Sequence, residues 1–533
     1  MPNNAQEVRP NNLRSDKLRF LAAALGAFVF GDSICSGAAD AQGATEPIWP
    51  TKEWQASSPE EQGMDSKELA KLVDFGTTLS LDSLLVVRHG KIVAEAYYAP
   101  YATGIPHEVF SAVKGVISTL IAIASKGRLL DTPNHRVLDF FDRQNFANID
   151  ESKETITVQN LLNMASGLGW KQPDSMFEME RSPDWVKFVL DKPMVSAPGS
   201  IFNYSNGNAH ILSAIITKLT GMSSLDYAKA KLFSPLGIND LYWEHDPQGI
   251  SNGGKGLFLL PRDMAKIGYL WLRNGAWEPE QLLPSAWIDE VIHATIDPHA
   301  PEEPELRYSN LFWVLPEKHV YAAIGYHGQL MMVFPELDVV AVTTGRDNYL
   351  LREFADFILG SVKSHTALPS DTASANLLKN KILDVSKEKS TGVGGTPGTA
   401  DNISGKVYRF AQNGLNVKSL SLILTDSQPH YNVEVYAGDP TKSALGFTGP
   451  IGLDGLYRKG ERTEHGLDSG GFPRVNAVKG SWQNDHTFVI DWLVLGKGFP
   501  ADEWTLAFAG EKLNVHVKLG TGGEVSIQSE TDE

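Results

Sequence analysis

Residues 109–125 read VFSAVKGVISTLIAIAS, and this stretch decides how the rest of the chain is interpreted. From Val113 to Ile123 it is apolar with small residues, which is typical of a buried helix. Ser111 and Lys114 stand three positions apart at the start of that helix, so they share one helical face. A serine hydroxyl is a weak nucleophile that needs a base, and apolar surroundings lower the pKa of a lysine towards neutrality. We therefore predict that Ser111 is a nucleophile and that Lys114 is its base.

The S-x-x-K spacing alone is weak, because a chain of this length contains about one or two chance matches. Ser386 and Lys389 form a second match. Charged residues surround that pair and no apolar helix follows it, so we interpret it as solvated. The context of Ser111 is the one that nucleophilic chemistry requires.

A second pattern, Asn203-Tyr204-Ser205-Asn206, follows Pro198-Gly199. The phenol of Tyr204 can relay a proton between nucleophile and leaving group if a nearby cation favours its anionic form. The amide of Asn206 can hydrogen-bond both the lysine and a substrate carbonyl. Taken alone, the pattern is equally that of an ordinary turn.

A third pattern, AIGYHGQ, occupies residues 323–329. Gly325 and Gly328 allow the backbone to approach a ligand closely. A strand edge here can present one N–H group to an oxyanion. Without the first two patterns, it would be interpreted as an ordinary strand with two glycines.

In this order, the three patterns resemble those of the serine β-lactamase and penicillin-binding-protein superfamily, in its class C and esterase-like branch. The resemblance covers roughly residues 48–365. Within the branch the chain most resembles the 6-aminohexanoate-dimer hydrolases, through SGLGW at residues 166–170 and GYHGQ at residues 325–329. It implies an α/β (α+β) β-lactamase-like catalytic domain, an antiparallel sheet with helices. It also implies a serine hydrolase that cleaves a small-molecule carboxylic ester or amide.

The resemblance further implies a role for each site residue. Ser111 would be the acylated nucleophile, Lys114 its base and Tyr204 the proton relay. The N–H groups of Ser111 and Tyr326 would form the oxyanion hole. Asn206 would position the substrate and the lysine.

One departure from the superfamily concerns the third pattern. β-Lactamases and D,D-peptidases usually carry Lys or His, then Thr or Ser, then Gly, whereas this chain has Ala323, Ile324 and Gly325. The missing cation and hydroxyl normally hold a substrate carboxylate, which argues against antibiotic hydrolysis. Acyl transfer is unaffected because the backbone N–H remains. His327 either restores a positive charge nearby or is a structural imidazole.

Two alternatives to an esterase or amidase stay open. One is a β-lactamase or D,D-peptidase, and the other is a non-catalytic cell-envelope binding protein that keeps the fold without the reaction. The presence of nucleophile, base and relay candidates argues against the second. We expect no cofactor and no metal, and we interpret Glu244-His245-Asp246 as a polar segment. The oligomeric state is left open.

The N-terminus has the order of a secretory signal, which we assign to residues 1–41. Basic residues at 14–19 precede an apolar run from Phe20 to Phe30, and Ala39-Asp40-Ala41 follows. We therefore expect an exported protein, periplasmic or secreted. Cys35 is the single cysteine, so an internal disulfide and a Cys-based metal site are both excluded. No segment has the apolar length of a membrane span.

The rest of the chain divides into three parts. Residues 42–365 mix helices and strands, with a hairpin across His89-Gly90, and strands near both ends suggest one sheet that joins distant parts. Residues 366–401 are rich in Ser, Thr, Ala and Lys, and we interpret them as a linker. Residues 402–533 have a period of two and predict an all-β domain, a sandwich or a closed barrel. This domain resembles the lipocalin-like modules attached to some members of the superfamily, and no catalytic residue is assigned to it.

Composition limits the kinds of partner. The chain has 47 Lys and Arg against 64 Asp and Glu, a net charge of −17. This charge disfavours nucleic acid and anionic membrane surfaces, both of which attract clustered cations. A hydrophobic content of 42% is that of an ordinary globular protein.

Overall fold

The computed structural model describes residues 47–348, 351–390, 392–436, 445–463 and 472–530. The predicted signal peptide at residues 1–41, with Cys35, lies outside these ranges. Within them, no helix combines the length and the apolar character that crossing a bilayer requires.

The helices lie mainly in the first two thirds of the chain. Their bounds are α1 Ser66–Thr78, α2 Val113–Lys126, α3 Val158–Leu162, α4 Asp174–Arg181, α5 Trp185–Leu190, α6 Asn206–Thr220, α7 Ser224–Ala228, α8 Pro261–Leu272, α9 Ser285–Ile292, α10 Leu351–Ser361, α11 Thr372–Val385 and α12 Thr399–Ile403.

The strands fall into an N-terminal and a C-terminal set. The first set is β1 Gln55–Ala56, β2 Leu81–Arg88, β3 Lys91–Tyr97, β4 His107–Glu108, β5 Tyr242–Trp243, β6 Leu257–Leu259, β7 Ala276–Trp277, β8 Glu280–Gln281, β9 Arg307–Ser309, β10 Phe312–Leu315, β11 Val320–Gly325, β12 Gln329–Phe334 and β13 Val339–Gly345. The second set is β14 Val407–Arg409, β15 Val417–Ile423, β16 His430–Val435, β17 Leu445–Pro450, β18 Arg458–Lys459, β19 Val475–Asn484, β20 Thr487–Leu495, β21 Asp502–Ala509, β22 Lys512–Lys518 and β23 Glu524–Gln528.

The central sheet is buried on both faces. Among the described residues its order is β1-β3-β2-β13-β12-β11-β10-β9, antiparallel except for the β1–β3 pair. Side chains alternate between faces along a strand. In β2, Leu85 and Val87 therefore enter one core, and Leu84 and Val86 enter the other. β2 pairs with β13, which confirms the prediction that one sheet joins distant parts of the sequence.

Helices cover both faces of this sheet. The core that contains Leu85 takes side chains from α2, α6 and α8, and the core that contains Leu84 takes them from α1, α10 and α11. Residues Val113 to Ala124 of α2 are all buried, as its apolar sequence predicts. The α2 helix contacts both α6 and β11.

The C-terminal part is all-β, as predicted. Its described strands form two antiparallel sheets, β14-β15-β16-β17 and β18-β19-β20-β21-β22-β23, that do not close into a barrel. The two sheets share one core, in which the rings of Tyr431 and Trp492 lie 4.3 Å apart. Of the two architectures expected from the sequence, the arrangement is therefore the sandwich.

The segment expected to be a linker contains a packed helix. Within residues 366–401, α11 lies against α1 and buries Leu378 in the second core of the catalytic region. Ile382 and Val385 follow Leu378 at helical spacing and pack partly against the same core. This apolar stripe is short and lies among charged residues, which is why composition alone indicated a linker.

The C-terminal sheets also contact the catalytic region. Leu493 and Leu495 of β20 form a small buried cluster with Tyr101 and Ile105. The described residues from Pro47 onwards therefore form one compact unit.

Candidate active site

A distorted turn presents Ser111 at the start of α2. The 3₁₀ turn Phe110–Ala112 runs directly into the helix. Phe110 has φ of 45°, in the left-handed region that bulky side chains rarely occupy and that concentrates at functional sites. Ser111 is partly exposed while Ala112 and Val113 beside it are buried. The turn therefore leaves the hydroxyl reachable at the end of an otherwise buried helix.

Lys114 is almost completely buried and lies next to Ser111. Its Nζ atom is 3.1 Å from Ser111 Oγ, 2.7 Å from Asn206 Oδ1 and 3.0 Å from the carbonyl oxygen of Gly254. The residue is 1% exposed, and this burial lowers the pKa of its amine to about 7. A large fraction of the amine is therefore neutral near pH 7, in the form that accepts a proton from serine.

Tyr204 completes the set around the hydroxyl. Its phenol interacts with the side chain of Ser111, and its ring centroid lies 4.8 Å from Lys114 Nζ. Burial raises the pKa of Tyr204 to about 12. The sequence-based argument required a cation that favours the phenolate, but desolvation outweighs that effect here. The phenol of Tyr204 is therefore protonated at neutral pH, so it can donate a proton but cannot act as a base in that state.

Asn206, at the start of α6, holds the side chain of Lys114 in place. It is the first residue of α6, whose N-cap Ser205 accepts a 3.1 Å bond from the Asn208 N–H. While Asn206 Oδ1 accepts from Lys114, Nδ2 lies 2.8 Å from the sulfur of Met176. A thioether is a weak acceptor, so the Nδ2 group is still able to donate to a substrate carbonyl.

Gly325 brings the third sequence pattern, residues 323–329, close to the backbone before Ser111. A Cβ atom at Gly325, the last residue of β11, would lie 2.1 Å from the carbonyl oxygen of Val109. Only glycine permits this approach, which brings the end of β11 alongside the backbone that leads to Ser111. Tyr326 follows directly, and its ring is 52% exposed. Residues 323–329 thus lie at the same site as Ser111, as the order of the patterns predicts.

The imidazole of His327 is hydrogen-bonded to a backbone carbonyl group. Its Nδ1 atom is 2.6 Å from the carbonyl oxygen of Gly498, and a carbonyl only accepts, so Nδ1 carries a proton. Burial lowers the pKa of the imidazole, which leaves it neutral at neutral pH. His327 therefore does not restore the cation that is missing at positions 323 and 324. Of the two sequence-based interpretations, the structural imidazole is the one this geometry favours.

The sequence analysis missed the backbone acceptor for Lys114. A Cβ atom at Gly254 would lie 2.8 Å from Asn206 Cγ, and one at Gly253 would lie 2.1 Å from the carbonyl oxygen of Ala209. These two glycines let the chain approach α6 closely enough for the Gly254 carbonyl to reach the amine. The available signal was the paired glycine in SNGGKG at residues 251–256.

Other serine patterns have structural roles. Residues 249–253 match G-x-S-x-G, the pattern of another serine-hydrolase class, but Ser251 is 2% exposed and its Oγ accepts from the Leu225 N–H. Ser386 ends α11 and donates to its own helix, and Lys389 is exposed beside Asp384. Neither serine has a buried amine beside it.

The polar segment at 244–246 is also accounted for. Asp246 accepts from the N–H groups of Gln248 and Ile250, and its other oxygen lies 3.1 Å from His210 Nε2. Across the described part of the chain, no group of three potential metal ligands comes together.

The chain was compared with known proteins. A family model described as Beta-lactamase matches residues 77–356, a span that contains the three patterns. The chain belongs to the beta-lactamase family. The superfamily assignment from sequence is thereby confirmed, and the family and its hydrolase-named relatives make the chain a serine hydrolase.

The chain is also similar to individual known proteins. The 6-aminohexanoate-dimer hydrolase of Paenarthrobacter ureafaciens is 22% identical over 282 residues, which are 49% of this chain and 71% of that protein. A solved structure described as a 6-aminohexanoate-dimer hydrolase from Bacillus anthracis has 20% identity and a TM-score of 0.47, covering 63% of this chain and 88% of that one. EstCE1, a hydrolase with promiscuous acyltransferase activity, has 16% identity and a TM-score of 0.46, covering 60% and 99%.

Proposed function

We propose that this beta-lactamase family member hydrolyses a carboxylic ester or amide through an acyl-enzyme on Ser111. The observation that carries the proposal is the position of Lys114, whose Nζ lies 3.1 Å from Ser111 Oγ while burial lowers the pKa of the amine to about 7. A nucleophile in contact with a base that is half neutral at physiological pH is the arrangement that acyl transfer needs.

In the acylation step, Ser111 Oγ attacks the substrate carbonyl carbon and its proton passes to the neutral amine of Lys114. The carbonyl oxygen becomes an oxyanion, which accepts hydrogen bonds from the N–H groups of Ser111 and Tyr326. The positive end of the α2 dipole lies at the same place and stabilises that charge. Asn206 holds the lysine and donates through Nδ2 to the substrate.

Collapse of the intermediate breaks the bond to the leaving group, which takes a proton from the hydroxyl of Tyr204. The phenol regains a proton from the Lys114 ammonium. Water then attacks the acyl-enzyme and gives its proton back to Lys114. Finally, the bond between Ser111 Oγ and the acyl carbon breaks, Oγ takes the proton from the Lys114 ammonium, and a carboxylic acid leaves.

Positions 323 and 324 support esters and amides over lactam antibiotics. Ala323 is buried against Gly115 of α2, and neither it nor Ile324 carries the charge or hydroxyl that would hold a substrate carboxylate. The relative from Paenarthrobacter ureafaciens is named for hydrolysing the 6-aminohexanoate dimer. We therefore propose a carboxylic ester or amide as the substrate, with short esters as the first test substrates and short amides as the second.

Mass spectrometry of the intact protein tests this function. Separate incubations with 4-nitrophenyl acetate, a short amide and a penicillin are expected to give an acetyl adduct from the ester, mapped by proteolysis to Ser111. The peptide that contains Ser386 is the internal control and should stay unmodified. A stable or rapidly hydrolysed penicillin adduct would instead indicate a D,D-peptidase or β-lactamase. Failure of an active-serine phosphonate to label the protein would indicate a non-catalytic binding protein.

Tyr204→Phe separates the proton relay from the nucleophile. We expect kcat for a short amide to fall about 10²- to 10³-fold, because an amine leaves only after protonation. The loss for a 4-nitrophenyl ester should be much smaller, since nitrophenolate leaves without a proton. Steady-state kinetics on both substrates measures the difference.

Tyr308→Phe is the matched control for that variant. The Tyr308 hydroxyl is buried near Tyr204 and has no hydrogen-bond partner among the described residues, so its removal should leave both rates unchanged. Equal losses on amide and ester in Tyr204→Phe would contradict a role in leaving-group protonation.

A further inference from the structure

A loop of the C-terminal all-β domain reaches the candidate active site. It joins β20 to β21 and comprises residues 496–501. The carbonyl oxygen of Gly496 accepts a 2.7 Å bond from the Glu108 N–H, and that of Gly498 accepts the 2.6 Å bond from His327 Nδ1. Lys497 Nζ lies 3.5 Å from the buried carboxylate of Glu108. The loop therefore binds both the segment before Ser111 and the turn after β11.

Two glycines make this contact possible. Gly496 has φ of 80°, and a Cβ atom there would lie 2.0 Å from the carbonyl oxygen of Pro106. Gly498 has φ of 71°, and a Cβ atom there would lie 2.6 Å from the ring of Phe110. Both positions combine a left-handed backbone with a contact that no side chain fits. The two glycines of Gly-Lys-Gly therefore allow the loop to lie directly against the catalytic region.

The next residue of the loop, Phe499, is half-buried among aromatic rings of the catalytic region. Its ring centroid lies 5.6 Å from that of Phe110, 5.1 Å from that of His327 and 6.4 Å from that of Tyr326. Phe110 directly precedes Ser111. Tyr326, half-exposed, carries the N–H proposed for the oxyanion hole. We call Phe110, Tyr326 and Phe499 the aromatic wall.

We propose that Phe499 is a specificity-determining residue of the active site, and that the aromatic wall binds an apolar portion of an uncharged ester or amide. This inference rests on the proposed function. An oxyanion held by the Tyr326 N–H fixes the carbonyl carbon near the wall, so a substituent on one side of that carbon extends along the exposed ring of Tyr326 towards Phe499. Aromatic rings bury large apolar areas, and two of them at this position favour longer alkyl groups.

Selectivity between short and long substrates tests the proposal. Each methylene that the wall removes from water should raise kcat/KM about fourfold. One series varies the acyl chain of 4-nitrophenyl esters from acetate to octanoate, and a second varies the alcohol at a fixed acetyl group. For each series we compare kcat/KM for the longest substrate with kcat/KM for the shortest. In Phe499→Ala we expect this ratio to fall about tenfold in one of the two series. Phe499→Leu, which keeps an apolar side chain at this position, should retain most of the wild-type ratio.

Trp482→Ala is the matched control within the same domain. The Trp482 ring packs on Phe488 and Phe508 in the C-terminal sheets, so its truncation removes a comparable aromatic contact from that domain. Its chain-length ratios should equal those of the wild type. Thermal unfolding of all three variants shows whether a change in rate follows loss of the folded state.

The outcomes separate this inference from the proposed function. Unchanged ratios in both series, with Ser111 still acylated, would overturn the role of Phe499 alone. An equal loss on all substrates, acetate included, would also overturn it, because the loop would then only position Ser111. If Ser111 of the wild type forms no adduct with any ester, the proposed function fails and this inference fails with it.

Discussion

Ser111→Ala should lower kcat/KM for 4-nitrophenyl acetate by at least about 10⁴-fold, because a nucleophile and its base act as one unit and no other group replaces the hydroxyl. Acylation of the protein, followed by intact mass, should disappear in the same variant. The fold should survive, since Ser111 is partly exposed and its hydroxyl interacts with two polar groups of the site, those of Lys114 and Tyr204. Circular dichroism and the unfolding temperature check that point.

The second S-x-x-K match supplies a control for this variant. Ser386 has the same spacing to Lys389, but that lysine is exposed and paired with Asp384, so it lacks the buried, apolar surroundings of Lys114. Ser386→Ala should therefore hydrolyse the ester at the rate of the wild type. Turnover that persists in Ser111→Ala, or is lost in Ser386→Ala, would refute the assignment of the nucleophile.

The part of the site that the sequence predicts is the part that helical geometry determines. Ser111 and Lys114 are three residues apart in one turn, so their contact follows from the backbone once the helix is recognised. Lys114 and Asn206 are 92 positions apart, and no such constraint relates them. Their meeting was predicted only because the order of the patterns resembles a known superfamily.

The contacts that the sequence did not predict are carried by backbone atoms. The carbonyl of Gly254 binds Lys114, and that of Gly498 binds His327 across 171 residues. A carbonyl has no residue type of its own, and the only trace it leaves is a glycine that permits close approach. Glycine is common in turns, so Gly-Lys-Gly at 496–498 indicates a turn but does not identify the residues that the turn contacts.

The fold also contains some features that local geometry predicts and others that depend on tertiary contacts. Alternation in the C-terminal strands predicted an all-β domain, because a period of two follows from strand geometry. The turn at His89-Gly90 predicted the hairpin of β2 and β3. The helix α11 was missed because its apolar stripe at Leu378, Ile382 and Val385 is buried by α1 and not by its own neighbours in the sequence. Its character depends on tertiary packing, which overrides local composition.

Lys114→Ala should reduce kcat/KM for the same ester about 10³-fold, close to the loss in Ser111→Ala. In the wild type, kcat/KM should rise with pH and reach half its plateau near pH 7, since burial lowers the pKa of the amine to about 7. Below that pH the amine is protonated and cannot accept the serine proton. The residual activity of Lys114→Ala should lack this transition, whereas Lys389→Ala should keep both the rate and the profile of the wild type.

The stability of the fold gives a readout of the same amine without catalysis. An unfolded lysine titrates near its usual pKa of 10.5, whereas burial lowers the folded value to about 7. Between these values the unfolded chain binds more protons, so the free energy of unfolding rises with pH through this window. Lys114→Ala removes that contribution. The unfolding free energy of the wild type minus that of Lys114→Ala should therefore increase from pH 7 to pH 10 in denaturant titrations. A difference that is constant with pH would mean that the buried amine keeps its proton, and Lys114 would then stabilise charge without acting as the base.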